Sequence, residues 1–294
     1  MSGAAVAGHA GAGPAGVAPV RGAGHLQLAP CFRLALHAEW TKLRTLSSTT
    51  WTLAATAVLT IAVGTAASAA YRCAPGFCSL AATGADPAKI TLTGLYIGQV
   101  LVAVLGVLVV GGEYGSGMIR VTLSAMPRRL HVLAAKAAVF TGVVLVAALA
   151  GVLGSMAAGR LLLPGRGLSA ANGYAVLSLG SRTDLRAFGG SVLYLALIGL
   201  LALGITAAVR DSGAAFGIVL GLLFLFPIVT SVMPDHVLAR HLEQASPMIA
   251  GMYIEATAGL QSLPLTPWQG LGVLALWALA ALLLGGLALR LRDA

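Results

Sequence analysis

Six long apolar runs dominate this sequence and limit what it can fold into. The runs lie near residues 51–70, 94–112, 137–157, 189–209, 213–233 and 268–289. None contains Asp, Glu, Lys, Arg or His, and each approaches the ~20 residues that an α-helix needs to cross a bilayer. Only 9% of the 294 residues are charged, whereas soluble domains carry about 25%. We therefore predict an all-α membrane protein with six transmembrane helices and exclude soluble enzymes and disulfide scaffolds.

The first run is the weakest candidate for a span. It has few residues of the strongly apolar class that drives insertion into a bilayer. Those residues are Leu53, Val58, Leu59, Ile61 and Val63. Hydropathy alone thus supports this span less well than the other five.

The basic residues predict the orientation of the chain. The net charge is +9, but the basic residues form short clusters between the apolar runs, which favours a topological role over a nucleic-acid partner. Of the 18 Lys and Arg residues, eleven fall on the side that carries both termini and seven on the other side. Because basic residues accumulate on the cytoplasmic side, we expect a multi-pass plasma-membrane protein with cytoplasmic N- and C-termini.

Two segments precede the first span. Residues 1–30 are rich in Ala and Gly without a helical period, and we predict a disordered cytoplasmic tail. Residues 31–46 predict an amphipathic helix in the headgroup layer of the membrane; a solvated extension of the first span is the alternative. Its apolar face is formed by Phe32, Leu36, Trp40 and Leu43, and its polar face by Arg33, His37 and Arg44.

Small residues spaced four apart predict where helices approach one another closely. The three sets are Gly94 and Gly98; Gly151, Ser155 and Gly159; and Gly213, Gly217 and Gly221. In a chain with 38 glycines such spacings also arise by chance, so each set remains a hypothesis.

No segment of the sequence supplies an energy source or catalytic chemistry. The spans hold no ionisable group, and the chain has no HExxH, G-x-S-x-G or P-loop motif. The nearest glycine pair to a P-loop, Gly112 and Gly117, is followed by Met118 and Ile119. We expect no enzyme activity and no bound cofactor or metal. The spans are either passive or driven by a partner.

Residues 111–136 carry the most specific pattern. The second span ends at an acid, Glu113, and two glycines follow, Gly115 and Gly117. Residues 118–125 predict a short helix that Pro127 ends, and two arginines precede the third span. A plain loop on the cytoplasmic side would explain the arginines. It would not require an acid, flexible glycines and a short helix together.

This segment resembles the signature of permease subunits of type-2 ABC exporters, in particular those of high-GC Gram-positive bacteria. The matching residues are Glu113, Tyr114, Gly117, Ile119, Arg120, Thr122, Leu123, Pro127, Arg128, Arg129 and Lys136. A second match is AEWTKLRTL, residues 38–46. The resemblance covers residues 31–294 as one six-span permease domain. Gly115 departs from it, because the family often has a bulky or charged residue there.

The resemblance implies an export path shared by two permeases, the second a copy or a paralogue. It also implies a separate ATP-binding subunit, which binds ATP and magnesium. A coupling helix between spans 2 and 3 would dock that subunit, and the helix before the first span would lie at the membrane interface. The implied docking residues are Glu113, Tyr114, Gly115, Gly117, Ile119, Arg120, Pro127, Arg128 and Arg129, and the implied interfacial residues are Phe32, Leu36, Trp40, Leu43 and Arg44.

Further expectations concern pairing and the outer face. We expect Glu113 to pair with Arg44 or with an arginine of the coupling segment. The resemblance also implies short re-entrant helices within residues 246–260, where a plain surface loop is the alternative. Drug, peptide, lipid and polysaccharide substrates all remain compatible with the spans. A disulfide between Cys73 and Cys78 is left open.

Two other functions compete with the permease. An ATP-independent secondary carrier or channel would need polar groups along its path, and the spans offer little beyond Thr, Ser, Gln99 and Tyr194. A non-transporting membrane protein would need a soluble domain through which to act.

Overall fold

The computed structural model describes residues 28–72, 79, 84–118 and 129–291. Within these ranges the regular structure is helical and no strand is present. The α-helices are α1 (Leu28–Thr45), α2 (Ser47–Ala70), α3 (Pro87–Leu92), α4 (Leu95–Gly115), α5 (Arg129–Leu162), α6 (Arg182–Val209), α7 (Ser212–Val232), α8 (His236–Ala245), α9 (Pro247–Met252) and α10 (Pro267–Leu291).

Six of these helices, α2, α4, α5, α6, α7 and α10, are long and apolar enough to cross a membrane. The prediction of six spans is therefore confirmed at the level of length and composition. The largest differences from the predicted bounds are at α5 and α6, which extend beyond the apolar runs. α1 begins at Leu28, inside the tail predicted to be disordered; residues 1–27 lie outside the described ranges.

The six long helices run antiparallel in sequence order, which defines two ends of the bundle. The basal end carries α1, the end of α4, the start of α5, the α6–α7 turn and the end of α10. The distal end carries α3, α8 and α9. α6 is the most buried of the six helices and α7 the least. α6 packs against α10, α4 and α5, and α2 packs mainly against α5. α7 leaves most of its surface uncovered within this chain.

The inward face of α2 explains its weak hydropathy. Its buried residues are small or hydroxylated: Thr49, Thr56, Thr60, Gly64 and Ser68. The hydroxyl groups of Thr56 and Ser68 donate to carbonyls one turn back, to Thr52 O and Gly64 O, both at 2.8 Å, whereas Thr60 Oγ1 is buried without a partner among the described residues. The apolar residues of this helix point outward instead, where lipid can solvate them.

Two of the three small-residue sets form close helix contacts. A Cβ added at Gly94 would lie 2.0 Å from the carbonyl oxygen of Thr60, and Ser155 Oγ donates to that same oxygen at 3.1 Å. In the third set, Cβ atoms at Gly217 and Gly221 would meet nothing within 4 Å. The first two sets therefore mark helix contacts inside the chain, and the third does not.

Substituting Gly94 tests this packing. We expect Gly94→Ala to lower the free energy of unfolding by about 1–3 kcal/mol, because α2 and α4 must separate to admit the methyl group. Gly217→Ala is the matched control in an open part of α7 and should leave stability unchanged. Thermal unfolding in one detergent compares the two variants, and equal stabilities would contradict the packing.

Buried short helices cover the distal end. Residues of α9 and the following 3-10 turn, Tyr253–Glu255, are mostly buried, so this segment is not a plain surface loop. Asp86 fixes the chain that follows the turn. Its carboxylate accepts from Thr257 N and Thr257 Oγ1, both at 2.6 Å, and from Ala258 N at 3.0 Å. The same side chain caps α3 at Ala88 N and Lys89 N, so one aspartate joins both distal segments.

Candidate functional site

Four charged side chains form a buried ionic cluster at the basal end. Lys136 Nζ lies 2.7 Å from Glu39 Oε2 and 2.8 Å from Glu113 Oε1. Lys42 Nζ lies 3.0 Å from Glu113 Oε1 and 3.2 Å from Glu39 Oε1. We call these four residues the basal cluster. Two carboxylates alternate with two ammonium groups, so the charges balance.

The basal cluster joins three helices. Glu39 and Lys42 come from α1, Glu113 from the last turn of α4, and Lys136 from the third turn of α5. Glu39, Glu113 and Lys136 are 4%, 8% and 3% exposed. Removing one partner of a buried ion pair strongly destabilises a protein, because the other charge then stays buried without an opposite charge beside it. The cluster therefore holds α1 firmly against the ends of α4 and α5.

Lys42 stays charged in this setting. Burial lowers the pKa of Lys42, but the hydrogen bond and charge of Glu113, together with the charge of Glu39, outweigh that effect and raise it above its usual 10.5. Stability from a raised lysine pKa is fully present below 10.5 and is lost only as the pH rises through the higher folded value. The cluster is therefore intact at neutral pH.

The structure corrects the expected partners of Glu113. The sequence favoured Arg44 or an arginine of the coupling segment, whereas the structure pairs Glu113 with Lys42 and Lys136. Arg44 is exposed, because it lies about 140° around α1 from Glu39 at 100° per residue. Lys136, near the start of α5, is buried within the cluster.

Only part of the predicted apolar face of α1 packs against the rest of the chain. The inward face of α1 contains Ala35, Glu39 and Leu43, one turn apart, and α1 packs mainly on α5. Of the predicted apolar face, Leu43 is buried, Leu36 is half-buried and Trp40 is 48% exposed; the side chain of Phe32 lies outside the described part. The apolar stripe therefore faces partly outward and the acid faces inward, because Glu39 has partners there.

The remaining residues at the end of α4 turn the chain. Tyr114 is half-buried, with the Arg210 guanidinium carbon 5.8 Å from its ring centroid, which fits a cation–π contact. Gly115 ends α4 with open space around it. Gly117 has φ +71°, a left-handed conformation that favours glycine. Glu113 and Tyr114 therefore face inward, whereas Gly115 and Gly117, which follow them, are exposed.

The rest of the predicted coupling segment lies in the gap between the described ranges. Ile119, Arg120, Pro127 and Arg128 fall within residues 119–128, which the structure does not describe, and so do most residues of the predicted short helix. Arg129 begins α5, although its side chain is not described. Cys73 and Cys78 also fall outside the described ranges.

A cavity of about 250 Å³ adjoins the basal cluster. Its lining includes all four residues of the basal cluster, together with Leu105 and other apolar residues of α4. Oε2 of Glu113 is buried without a hydrogen-bond partner among the described residues. The helix ends therefore have free volume next to the cluster into which side chains can shift.

The sequence analysis did not identify Glu39 as a functional candidate. Two signals could have done so: Glu39 and Lys42 are three residues apart on one face of a helix, and Glu39 is the only acid in residues 31–46. An acid on an interfacial helix beside a membrane predicts a buried basic partner, because a lone carboxylate there would be costly.

Comparisons of the chain with protein-family models and with curated proteins find no match.

Proposed function

We propose that this chain is the permease subunit of an ATP-binding cassette exporter, driven by a separate ATP-binding subunit at its basal end. In this proposal the basal end is cytoplasmic, α1 lies at the membrane interface, and a second permease completes the export path. The observation that carries the proposal is the basal cluster, which ties three helices together directly beside the segment that resembles a coupling helix.

The cluster suits the transmission of force from a loop to the spans. Glu113 lies six residues before Ile119, the first residue of the segment 119–128 that is outside the described ranges. The Glu113 side chain also contacts α1 through Lys42 and α5 through Lys136. A displacement of the loop would pull on all three helices at once. Because packed helices move as nearly rigid bodies, closure of the partner ATPase would shift the spans instead of merely bending the loop.

The polar groups of the spans give little support to a passive path. Tyr194 Oη donates to Gln99 Oε1, and both side chains are fully buried within this chain. Gln99 Nε2 faces Met248 Sδ at 3.7 Å. These groups satisfy one another in the core and do not offer a free polar lining.

One observation favours the ATP-independent carrier as a second candidate. Carriers coupled to ions keep ionisable groups at membrane depth, and the basal cluster places charged groups at the ends of α4 and α5. A carrier would change conformation with an ion or substrate gradient, and ATP would have no effect on it.

An accessibility measurement tests the proposed coupling without knowledge of the substrate. The three native cysteines are replaced by serine, and Thr93→Cys places a thiol at the distal end. The protein is purified with its ATPase partner and treated with a membrane-impermeant maleimide. We expect ATP to change the labelling rate of this thiol. We expect Lys42→Gln to abolish that change while ATP hydrolysis continues, because Glu113 then loses its direct ion pair with α1.

Arg44→Gln is the matched control for this experiment. It removes a positive charge two residues away on the same helix, outside the basal cluster, and should behave like the parent. An ATP response that is absent from the parent protein, or equally strong in Lys42→Gln, would contradict the proposed coupling.

A further inference from the structure

A cleft at the distal end has a composition suited to a specific class of ligand. Its volume is about 450 Å³, within the ~300–1,000 Å³ typical of small-molecule sites. Its lining is formed by Lys89, Ile90, Thr93, Tyr96, Pro227, Met248, Ile249, Met252, Tyr253 and Glu255. These residues come from α3, the start of α4 and the residue between them, from α7, and from α9 with the 3-10 turn after it, so three separate segments of the chain converge on the cleft.

Most of this lining is apolar, aromatic or thioether. Methionine side chains are flexible and polarisable, so Met248 and Met252 can adapt to ligands of different shape. Tyr96 and Tyr253 add ring faces that attract cations. Pro227 lies five residues before the end of α7, which is about 7.5 Å along a helix. The cleft therefore extends along α7 for about 7.5 Å from the end of this helix.

The one acid in the cleft has an unused acceptor. Glu255 is 5% exposed, and its Oε1 has no hydrogen-bond partner among the described residues. The chain on its C-terminal side is fixed in place, because Arg186 donates to the carbonyl of Ala256 and Asp86 binds the backbone of Thr257. A buried carboxyl without a donor is costly to the fold. Its position is thus held by the surrounding contacts, and the carboxyl lies in the cleft lining with an acceptor that no described residue uses.

We propose that this cleft binds lipophilic cations, with the apolar and aromatic lining covering the body of the ligand and the Glu255 carboxylate balancing its charge. The proposal goes beyond the coupling function, because binding at this site requires neither nucleotide nor an ATPase.

The charged groups around Glu255 change the strength of its attraction for a cation but do not cancel it. Glu255 interacts electrostatically with Lys89 and Asp86 and with Tyr194 of α6, and Arg186 lies beside it through the carbonyl of Ala256. Asp86 and Arg186 already bind the backbone of residues 256–258, which follow Glu255 directly. Lys89 is exposed at the rim, where water and salt screen its repulsion of a cation.

Burial makes the binding depend on pH. Burial raises the pKa of the Glu255 carboxyl to about 8, with Lys89 acting to lower it and Asp86 to raise it. A bound cation favours the ionised form, so binding releases a proton and tightens as the pH rises. With a pKa of about 8, the ionised fraction increases from about one-tenth at pH 7 to about nine-tenths at pH 9, which predicts roughly tenfold tighter binding.

Titration with two ions of the same shape and opposite charge tests this site. Tetraphenylphosphonium and tetraphenylborate are titrated calorimetrically into the full chain in lipid nanodiscs, with empty nanodiscs as the baseline. We expect saturable binding of the phosphonium, tightening about tenfold from pH 7 to pH 9, and no saturable binding of the borate. Glu255→Gln should weaken phosphonium binding at pH 9 by about tenfold and remove its pH dependence.

Tyr96 interacts electrostatically with Glu255 and provides a second pair of variants in which the Glu255 carboxyl itself is kept. Tyr96 is 47% exposed, so its replacement leaves the fold intact. Tyr96→Phe keeps the ring and should bind the phosphonium as the parent does, whereas Tyr96→Leu should bind it several-fold more weakly. Equal binding of the two ions, no saturable phosphonium binding, or full affinity in both Glu255→Gln and Tyr96→Leu would overturn the proposal.

Discussion

Replacing Lys136 with methionine is expected to lower the free energy of unfolding by about 3–5 kcal/mol. The substitution keeps the length of the side chain but leaves the buried carboxylates of Glu39 and Glu113 with Lys42 as their one remaining cation in the basal cluster. Thermal unfolding in detergent measures the loss. Arg160→Met, at the exposed far end of the same helix, is the matched control and should change stability by less than about 0.5 kcal/mol.

A double variant separates charge balance from packing at this position. Lys136→Met combined with Glu39→Gln leaves one carboxylate facing one ammonium group, so it should recover much of the lost stability. If the double variant were as unstable as the sum of the single variants, or if Lys136→Met alone were as stable as the parent, the cluster would not hold the basal end together.

Asp86→Ala is the second substitution with a large expected effect. The residue is 9% exposed and accepts hydrogen bonds from backbone N–H groups in the first turn of α3 and from Thr257 and Ala258. A hydrogen bond to a charged group contributes about 1.5–3 kcal/mol, and bonds that share one side chain are not additive, so we expect a total loss on the order of 3 kcal/mol. Hydrogen exchange should increase at the amides of residues 257 and 258, because both lose their acceptor.

Asp235→Ala is the control for this loss. Asp235 is an exposed cap that accepts from Val237 N and Leu238 N, and its removal should cost about 1 kcal/mol and raise exchange only at the start of α8. Unchanged exchange at residues 257 and 258 in Asp86→Ala would show that other contacts hold the distal segment in place.

The spans were predictable because they depend on composition and length alone. Apolar runs without charges specify helices wherever they occur, since a bilayer requires every backbone group to bond within the helix. The position of Glu113 at the end of a span was also predictable, because the apolar run stops there. Even the weak first run follows a simple rule, with small and hydroxylated residues turned inward at Thr60 and its neighbours.

The pairing within the basal cluster was not predictable in the same way. The choice between Lys42 and Arg44 depends on how α1 is rotated about its own axis against α5, and both basic residues satisfy the same local pattern. The spacing of small residues was likewise insufficient to predict which helix faces are in contact, because Gly94 lies against a carbonyl of α2 whereas Gly217 faces open space. The cleft around Glu255 depends on residues brought together from three separate segments of the chain, which no local pattern specifies.

Co-purification tests the central claim most directly. The chain is tagged at its C-terminus, expressed in its native host, extracted in mild detergent and analysed for proteins that accompany it. We predict a stoichiometric ATPase with Walker motifs, which is lost when Arg120 and Arg128 are both replaced by alanine. It should be retained when Arg160 and Arg166 are replaced, because these remove the same charge at the distal end. A chain that purifies alone and moves substrate in vesicles without ATP would contradict the account and favour the passive carrier.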